Sequence, residues 1–208
     1  INNCIIGFTT LASTHTFSNY CALVINNSTS NPTTGSIAFS NISIDSNTIH
    51  GGYGNYIYGS GAANNINVRY NSIDSSYNFG LYISGTNKST LYNNRIRMNE
   101  NGNLYSYGIF FNSNNASASN KHDIIGNTIQ NAGYFGVYLS SSSGYSDAVR
   151  SNLINNVIGG GFRSTNASGI YIASNSYNWN IYHNSVNLDA LTSNSGSAAL
   201  YVGNCCTT

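Results

Sequence analysis

Charge is scarce in this chain of 208 residues: Lys and Arg number 7, Asp and Glu number 6, and together they make up 6% of the sequence. Neutralising the phosphates of a nucleic acid or an anionic membrane surface requires clustered Lys and Arg. We therefore expect no nucleic-acid partner. No apolar run reaches the roughly 18 residues that a transmembrane helix needs, so we also expect no membrane insertion.

Proline, methionine and tryptophan occur once each, whereas Asn (37), Ser (32), Gly (21) and Tyr (17) are abundant. This composition, poor in Lys and Glu, favours a secreted or surface-exposed protein, in which disulfides persist. The four cysteines, Cys4, Cys21, Cys205 and Cys206, match neither a zinc site nor a CxxC redox pair. They are disulfide candidates, either within an end of the chain, for example Cys4 with Cys21, or across a junction between two chains.

A repeat runs through the sequence: an apolar residue, two variable residues, Asn, any residue and a second apolar residue. The six full copies have their Asn at Asn47, Asn71, Asn94, Asn127, Asn156 and Asn184, with spacings of 24, 23, 33, 29 and 28 residues. We interpret Asn3 with Ile5 as a seventh, truncated copy. A second motif alternates with the first and consists of a small residue before a short apolar run, as in Gly80-Leu-Tyr-Ile83 and Gly169-Ile-Tyr-Ile172.

The apolar runs are short, alternate with period 2 and are separated by Asn, Gly and Ser clusters, which is typical of strands. Strands that recur in every repeat and stack about 4.8 Å apart predict an all-β parallel solenoid of about seven coils. We expect a single domain over residues 1–208, which is either a piece of a longer protein or one protomer of an assembly.

The repeated Asn has a physical explanation in such a fold. Asn tolerates the left-handed backbone conformation that a sharp bend requires, and its amide bonds to nearby backbone groups. Stacked amides from successive repeats can also bond to one another and so satisfy polar groups that would otherwise be buried without partners. We therefore predict that the six asparagines form an internal structural ladder.

The order of strand, turn, strand, Asn bend and strand resembles the right-handed parallel β-helix of the pectate-lyase-like superfamily. Gly169-Ile-Tyr-Ile172 and Ile181-Tyr-His-Asn-Ser-Val-Asn-Leu188 are similar to β-helix regions of large secreted surface proteins of Bacteroidetes. The resemblance implies a right-handed β-helix with three short strands per coil and an internal asparagine ladder. It implies no particular activity, because the superfamily includes lyases, hydrolases, epimerases, adhesins and tail spikes.

The charged residues offer little for catalysis. Cleavage of a glycosidic bond needs two carboxylates about 5 to 10 Å apart, whereas the repeat scatters the six acids over different coils and faces. Three residues after successive ladder asparagines lie His50, Asp74 and Arg97, which are weak candidates for a base, an orienting group and an anion clamp. The simpler alternative is a surface ion pair of Asp74 with Arg97. The four histidines share no ligand spacing, so we expect no metal site and no cofactor.

A row of aromatic residues is a stronger candidate for binding. In the second motif the middle residue should point outward, and these residues are Tyr82, Phe110, Tyr138, Tyr171 and Tyr201. An exposed aromatic row favours contact with sugars or with other proteins. The alternative is that the rings cover the sheet and fix its register through cross-strand pairs.

These observations favour a non-catalytic extracellular module with a structural or adhesive role in a surface protein or filament. The alternative is a domain that binds or cleaves a polysaccharide beside the aromatic row, and a third hypothesis is a spacer. We recognise no capping helix at either end, which predicts either flanking sequence or head-to-tail contact between copies. The expected partners are therefore a second copy, a glycan or a surface protein.

Overall fold

The structure is a computed structural model that describes residues 1–7, 20–28, 31–35, 38–189 and 196–203. In these ranges the chain is all-β, with nineteen strands and no helix. No helix that could cross a membrane is present in the described ranges. The predictions for Cys205 and Cys206 concern residues outside these ranges.

The strands are mostly three to six residues long, as the short apolar runs predict. Their bounds are β1 Ile5–Gly7, β2 Leu23–Ile25, β3 Ser40–Asp45, β4 Thr48–His50, β5 Gly54–Arg69, β6 Ser72–Ser76, β7 Phe79–Thr86, β8 Ser89–Tyr92, β9 Arg95–Met98, β10 Tyr107–Asn112, β11 Asp123–Ile125, β12 Thr128–Gln130, β13 Phe135–Ser140, β14 Ser151–Ile154, β15 Val157–Gly159, β16 Ser168–Ile172, β17 Trp179–Tyr182, β18 Ser185–Asn187 and β19 Ala198–Val202.

All strand pairs are parallel, and each strand pairs with its counterparts in neighbouring repeats. The seven-stranded sheet has the order β1-β4-β6-β9-β12-β15-β18. A second sheet has two arms that meet at the 16-residue strand β5. We call β7-β10-β13-β16-β19 the aromatic arm and β8-β11-β14-β17 the polar arm. Strands β2 and β3 pair with the two halves of β5.

The core is a column of aliphatic side chains contributed by both sheets. In the five inner strands of the seven-stranded sheet one isoleucine per strand points inward and is almost completely buried, as Ile73, Ile96 and Ile129 illustrate, whereas the corresponding residues of the two outermost strands are partly buried. The flanking residues of β9 and β12 remain wholly or partly exposed. Period-2 alternation therefore positions both the core and the outer surface.

A row of glycines lets the aromatic arm approach the seven-stranded sheet. Gly80, Gly108, Gly136 and Gly169 begin the apolar runs of successive strands. A Cβ atom on Gly108 would collide with the side chain of Ile129 and with the carbonyl oxygen of Gly136. The small residue of the second motif is thus required by close packing between the two sheets.

The left-handed residue at each bend lies one position before the ladder asparagine. These residues are Ser46, Tyr70, Asn93, Gly126, Asn155 and His183, with φ between 50° and 69°. The prediction that the ladder asparagine itself is left-handed is therefore wrong. The preceding residue turns the chain, and the asparagine that follows points into the protein.

The truncated repeat at the start of the chain is displaced by one residue from its predicted alignment. Asn3 has a φ of 51° and thus occupies the turn position. Cys4 occupies the ladder position, since Ile5 pairs with Thr48 and the Cys4 backbone N–H donates to Asn47 Oδ1 at 3.0 Å. The backbone amide alone continues the ladder at this point.

Candidate functional site

The six ladder asparagines form a continuous chain of hydrogen bonds, as the repeat predicts. Each Nδ2 donates to Oδ1 of the next asparagine at 2.9 to 3.0 Å. The same Oδ1 also accepts a backbone N–H, as in Asn71 N to Asn94 Oδ1 at 3.1 Å. The second amide hydrogen reaches a carbonyl oxygen, as in Asn94 Nδ2 to Val68 O at 2.8 Å. Because each of these amides is bonded within the protein, their role is structural.

A second internal polar ladder lies at the end of the aromatic arm and was not predicted. The backbone N–H and Oγ1 of Thr86 donate to Asn114 Oδ1 at 2.8 and 2.7 Å, and Asn114 N donates to Ser142 Oγ at 3.1 Å. Ser142 N then donates to Ser176 Oγ at 3.2 Å. The signal is the apolar-x-x-polar spacing of Ile83 with Thr86, but the residue type changes from repeat to repeat.

The predicted aromatic row is in register on the aromatic arm. Tyr82, Phe110, Tyr138, Tyr171 and Tyr201 are successive partners on β7, β10, β13, β16 and β19. Tyr56 of β5 extends the row by one residue. Consecutive ring centroids are 4.8 to 5.3 Å apart. We call these six residues the aromatic row.

Exposure along the aromatic row differs from the prediction. Tyr82 is only 8% exposed and Tyr201 is 43% exposed, while Phe110, Tyr138 and Tyr171 are half-buried. A flanking row of Phe79, Tyr107 and Phe135 covers the rings from the side, with Phe135 and Tyr171 centroids 4.6 Å apart. The row is therefore less exposed than predicted, because the aromatics bury one another.

Most ring faces in this cluster meet another ring. Phe110 and Tyr138 are stacked at 24°, and Tyr171 and Tyr201 are stacked at 14°. Tyr138 meets Tyr171 edge to face at 72°. Ring edges and phenol groups are consequently what the middle of the row presents to a partner, whereas stacking of a sugar would require an open ring face.

Burial moves the pKa of several phenols of this cluster further above neutral pH. Desolvation raises the pKa of Tyr107 to about 12 and also raises the pKa of Tyr171, with nearby tyrosines adding to the shift. These hydroxyls are uncharged at neutral pH and can both donate and accept hydrogen bonds. The surface of the aromatic arm thus combines apolar edges with neutral polar groups.

His50, Asp74 and Arg97 lie side by side on β4, β6 and β9, as their spacing predicts. His50 Nδ1 lies 3.4 Å from Asp74 Oδ2, and both side chains are more than one-third exposed. Arg97, however, donates to Glu100 Oε1 at 2.6 Å. The expected Asp74–Arg97 pair is therefore wrong, because the turn after β9 brings Glu100 closer to the guanidinium.

Three of the remaining acids pair with separate cations, and the fourth, Asp189, accepts a backbone N–H from Gly161. Arg69 bonds Asp45 through two nitrogens, at 3.0 and 2.8 Å, and this contact lowers the pKa of Asp45. Lys121 lies 3.7 Å from Asp123, and Arg150 lies 2.7 Å from Asp147. Among the residues that the structure describes, no group of three or more His, Cys, Asp or Glu side chains could hold a metal ion. These contacts are surface ion pairs of small energetic value.

Cys4 and Cys21 form no disulfide within the described ranges. The Cys4 thiol donates to the carbonyl oxygen of Asn2 at 3.3 Å. Burial raises the pKa of the Cys21 thiol to about 12, so this sulfur is a poor nucleophile at neutral pH. The internal Cys4–Cys21 disulfide that the sequence left open is therefore not formed.

No protein-family model, curated protein or solved structure matches the chain. The resemblance to pectate-lyase-like proteins consequently remains a prediction from the repeat pattern. What the chain does must be inferred from the geometry of its two outer faces, the aromatic arm and the seven-stranded sheet.

Proposed function

We propose that the chain is a right-handed parallel β-helix of seven coils with three strands in each complete coil. Three parallel series of strand pairs support this proposal, because the chain visits the aromatic arm, the polar arm and the seven-stranded sheet in turn. The connections between parallel strands of one sheet are right-handed in nearly all known proteins. Internal polar ladders at two bends fit stacked coils of this kind.

We propose that this β-helix is a non-catalytic extracellular module with a structural and adhesive role. The observation that carries the proposal is the interlocked aromatic row, in which the rings stabilise the fold through their faces and leave edges and hydroxyls outward. Surfaces that mix aromatic edges with neutral hydrogen-bonding groups are typical of protein interfaces. The partner expected on this face is accordingly another surface protein.

The contacts of the ionisable groups argue against cleavage of a polysaccharide. Four of the acids have their own cation, and Asp74 has only the partly exposed His50 beside it. General acid–base catalysis requires two such groups converging on one bond. The aromatic row is also unsuited to sugar stacking, because its ring faces already contact other rings.

Adhesion can be tested with beads that carry the chain and flow over protein-coated glass. Tyr138→Arg combined with Tyr171→Arg should abolish retention, because two charges replace the apolar edges. Thr90→Arg on the polar arm is the control and should leave retention unchanged. Retention equal to wild type in the double variant, or release of sugars from a polysaccharide that Asp74→Ala abolishes, would contradict the proposal.

A further inference from the structure

A shallow groove of about 540 Å³ crosses the outer face of the seven-stranded sheet. It spans strands β9, β12, β15 and β18, a width of about 14 Å at the usual strand spacing. Two rows of outward residues line its floor, Thr128, Val157 and Ser185 in one row and Gln130, Gly159 and Asn187 in the other. The groove lies on a different sheet from the aromatic row.

Gly159 lies between two amide side chains on the floor of this groove. Gln130 and Asn187 are its register partners on either side, and their side chains make no hydrogen bond within the described ranges. The polar arm provides the contrast, since Asn180 Nδ2 donates to Asn152 Oδ1 at 3.0 Å and Asn152 Nδ2 donates to Asp123 Oδ1 at 2.7 Å. On the polar arm neighbouring side chains satisfy each other. In the groove the glycine separates Gln130 from Asn187, and both amides keep free donors and acceptors.

Charges of both signs border the groove. Arg97 at one end is bonded to Glu100, which also accepts a hydrogen bond from Asn131 Nδ2 at 3.3 Å. At the other end Asp189 Oδ2 accepts the backbone N–H of Gly161 at 3.2 Å. An anionic ligand would meet the Glu100 and Asp189 carboxylates, and a cationic ligand would meet Arg97. The groove therefore suits an uncharged ligand.

The floor also contains an apolar surface, because Val157 is 52% exposed at its centre. A ligand that fits must bring an apolar face to Val157 and hydroxyl groups to the amides beside it. We propose that the groove binds a neutral oligosaccharide, with the C–H face of one sugar over Val157 and Gly159 and its hydroxyls bonded to Gln130 and Asn187. This site is independent of the adhesive role of the aromatic arm.

Binding can be measured by titration calorimetry of the full chain with neutral oligosaccharides, using cellotetraose, xylotetraose and mannotetraose as probes and oligogalacturonate as the charged comparison. Gly159→Gln fills the gap and should weaken binding of the neutral probe at least tenfold. Ser72→Gln makes a similar change on the same sheet outside the groove and should bind as wild type does. Gln130→Ala with Asn187→Ala removes the two amides without adding bulk and should weaken binding to a similar degree.

Three results would overturn the proposal: no binding of any neutral probe, preference for oligogalacturonate, or binding that Gly159→Gln and the double alanine variant leave intact. Sugar binding that is lost in Tyr138→Arg with Tyr171→Arg would also overturn it, because the aromatic arm would then be the glycan site. If the Tyr138→Arg, Tyr171→Arg variant loses bead retention but binds sugar as wild type does, the adhesive surface and the sugar-binding groove are separate sites. Far-ultraviolet circular dichroism confirms that each variant is folded.

Discussion

Tyr171 and Tyr201 stack nearly parallel on adjacent strands, with ring centroids 4.8 Å apart and ring planes 14° apart. Their surroundings differ, however. Tyr171 also meets Phe135 at 4.6 Å and Tyr138 at 5.2 Å, whereas Tyr201 is 43% exposed. Substitutions of these two residues therefore show how much the contacts between rings contribute to the stability of the fold.

Tyr171→Ala should lower the free energy of unfolding by about 2 to 3 kcal/mol, because it leaves a gap among three aromatic neighbours. Tyr201→Ala should lower it by about 1 kcal/mol or less, since that ring has one aromatic partner and faces solvent. Urea unfolding monitored by circular dichroism measures both. Equal losses would show that the rings do not stabilise the fold by stacking on one another.

Substitution of an asparagine in the middle of the ladder should lower the free energy of unfolding more than substitution of an exposed asparagine. Asn94→Ala removes the acceptor for the side chain and backbone N–H of Asn71, so two buried donors lose a bond and the fold should lose about 2 to 4 kcal/mol. Asn101→Ala, in an exposed turn, is the control and should change stability by about 0.5 kcal/mol or less. Chemical denaturation of both variants checks the difference, and similar small effects would contradict the ladder's role.

The register of this fold could be predicted from the sequence because it depends on short-range spacing. Each ladder asparagine, such as Asn94, has a fixed distance from the apolar residues beside it, and one inward side chain per strand follows from period 2. The same argument placed the five predicted aromatic residues on successive strands. Parallel all-β structure follows when such units repeat along the chain.

Other features depend on contacts that spacing does not encode. The left-handed residue is set by its place in the bend and not by its type. Residues as different as Tyr70 and Gly126 occupy this place in different repeats. The second polar ladder uses Thr86, Asn114 and Ser142, which share hydrogen-bonding capacity but no residue type. Ring orientation and the free amides around Gly159 arise from neighbours in other repeats, so only the three-dimensional structure reveals them.

At the left-handed turn position, one substitution should stabilise the fold and another should destabilise it. Ser46 has a φ of 56° and is exposed, and this conformation costs most residues about 1 to 2 kcal/mol. Ser46→Gly should therefore raise the free energy of unfolding by about 0.5 to 1 kcal/mol. Ser46→Val should lower it, because a β-branched residue is strongly disfavoured there. Thermal unfolding of the two variants should show midpoints that shift in opposite directions.

The glycine row should tolerate no side chain. Gly108→Ala places a methyl group against Ile129 and the Gly136 carbonyl, and such overpacking should cost about 1 to 3 kcal/mol or more. Gly159→Ala is a matched control, since its Cβ would lie 3.2 Å from the Asn187 Cβ on an open face. We expect a loss of about 0.5 kcal/mol or less for the control. Comparable losses in a urea titration would mean that close sheet packing does not explain the glycines.

His122 should make the stability of the fold depend on pH. Its side chain is buried beside Phe111 and Trp179, neither ring nitrogen has a hydrogen-bond partner in the described part of the chain, and burial lowers its pKa to about 3. An unfolded histidine has a pKa of about 6.5, so between these values the unfolded state binds more protons and stability falls as the pH falls. Between about pH 7 and pH 5 the loss should approach 2 kcal/mol.

Above about pH 6.5 His122 is neutral in both the folded and the unfolded state and costs no stability, and the cost grows as the pH falls below that value. His122→Leu should remove this part of the pH dependence, because a leucine fills the apolar site without binding a proton. Asn101→Ala, at an exposed position, changes no titratable group and should retain the wild-type slope. Urea unfolding at a series of pH values measures the slope, and an unchanged slope in His122→Leu would show that another group controls the acid sensitivity.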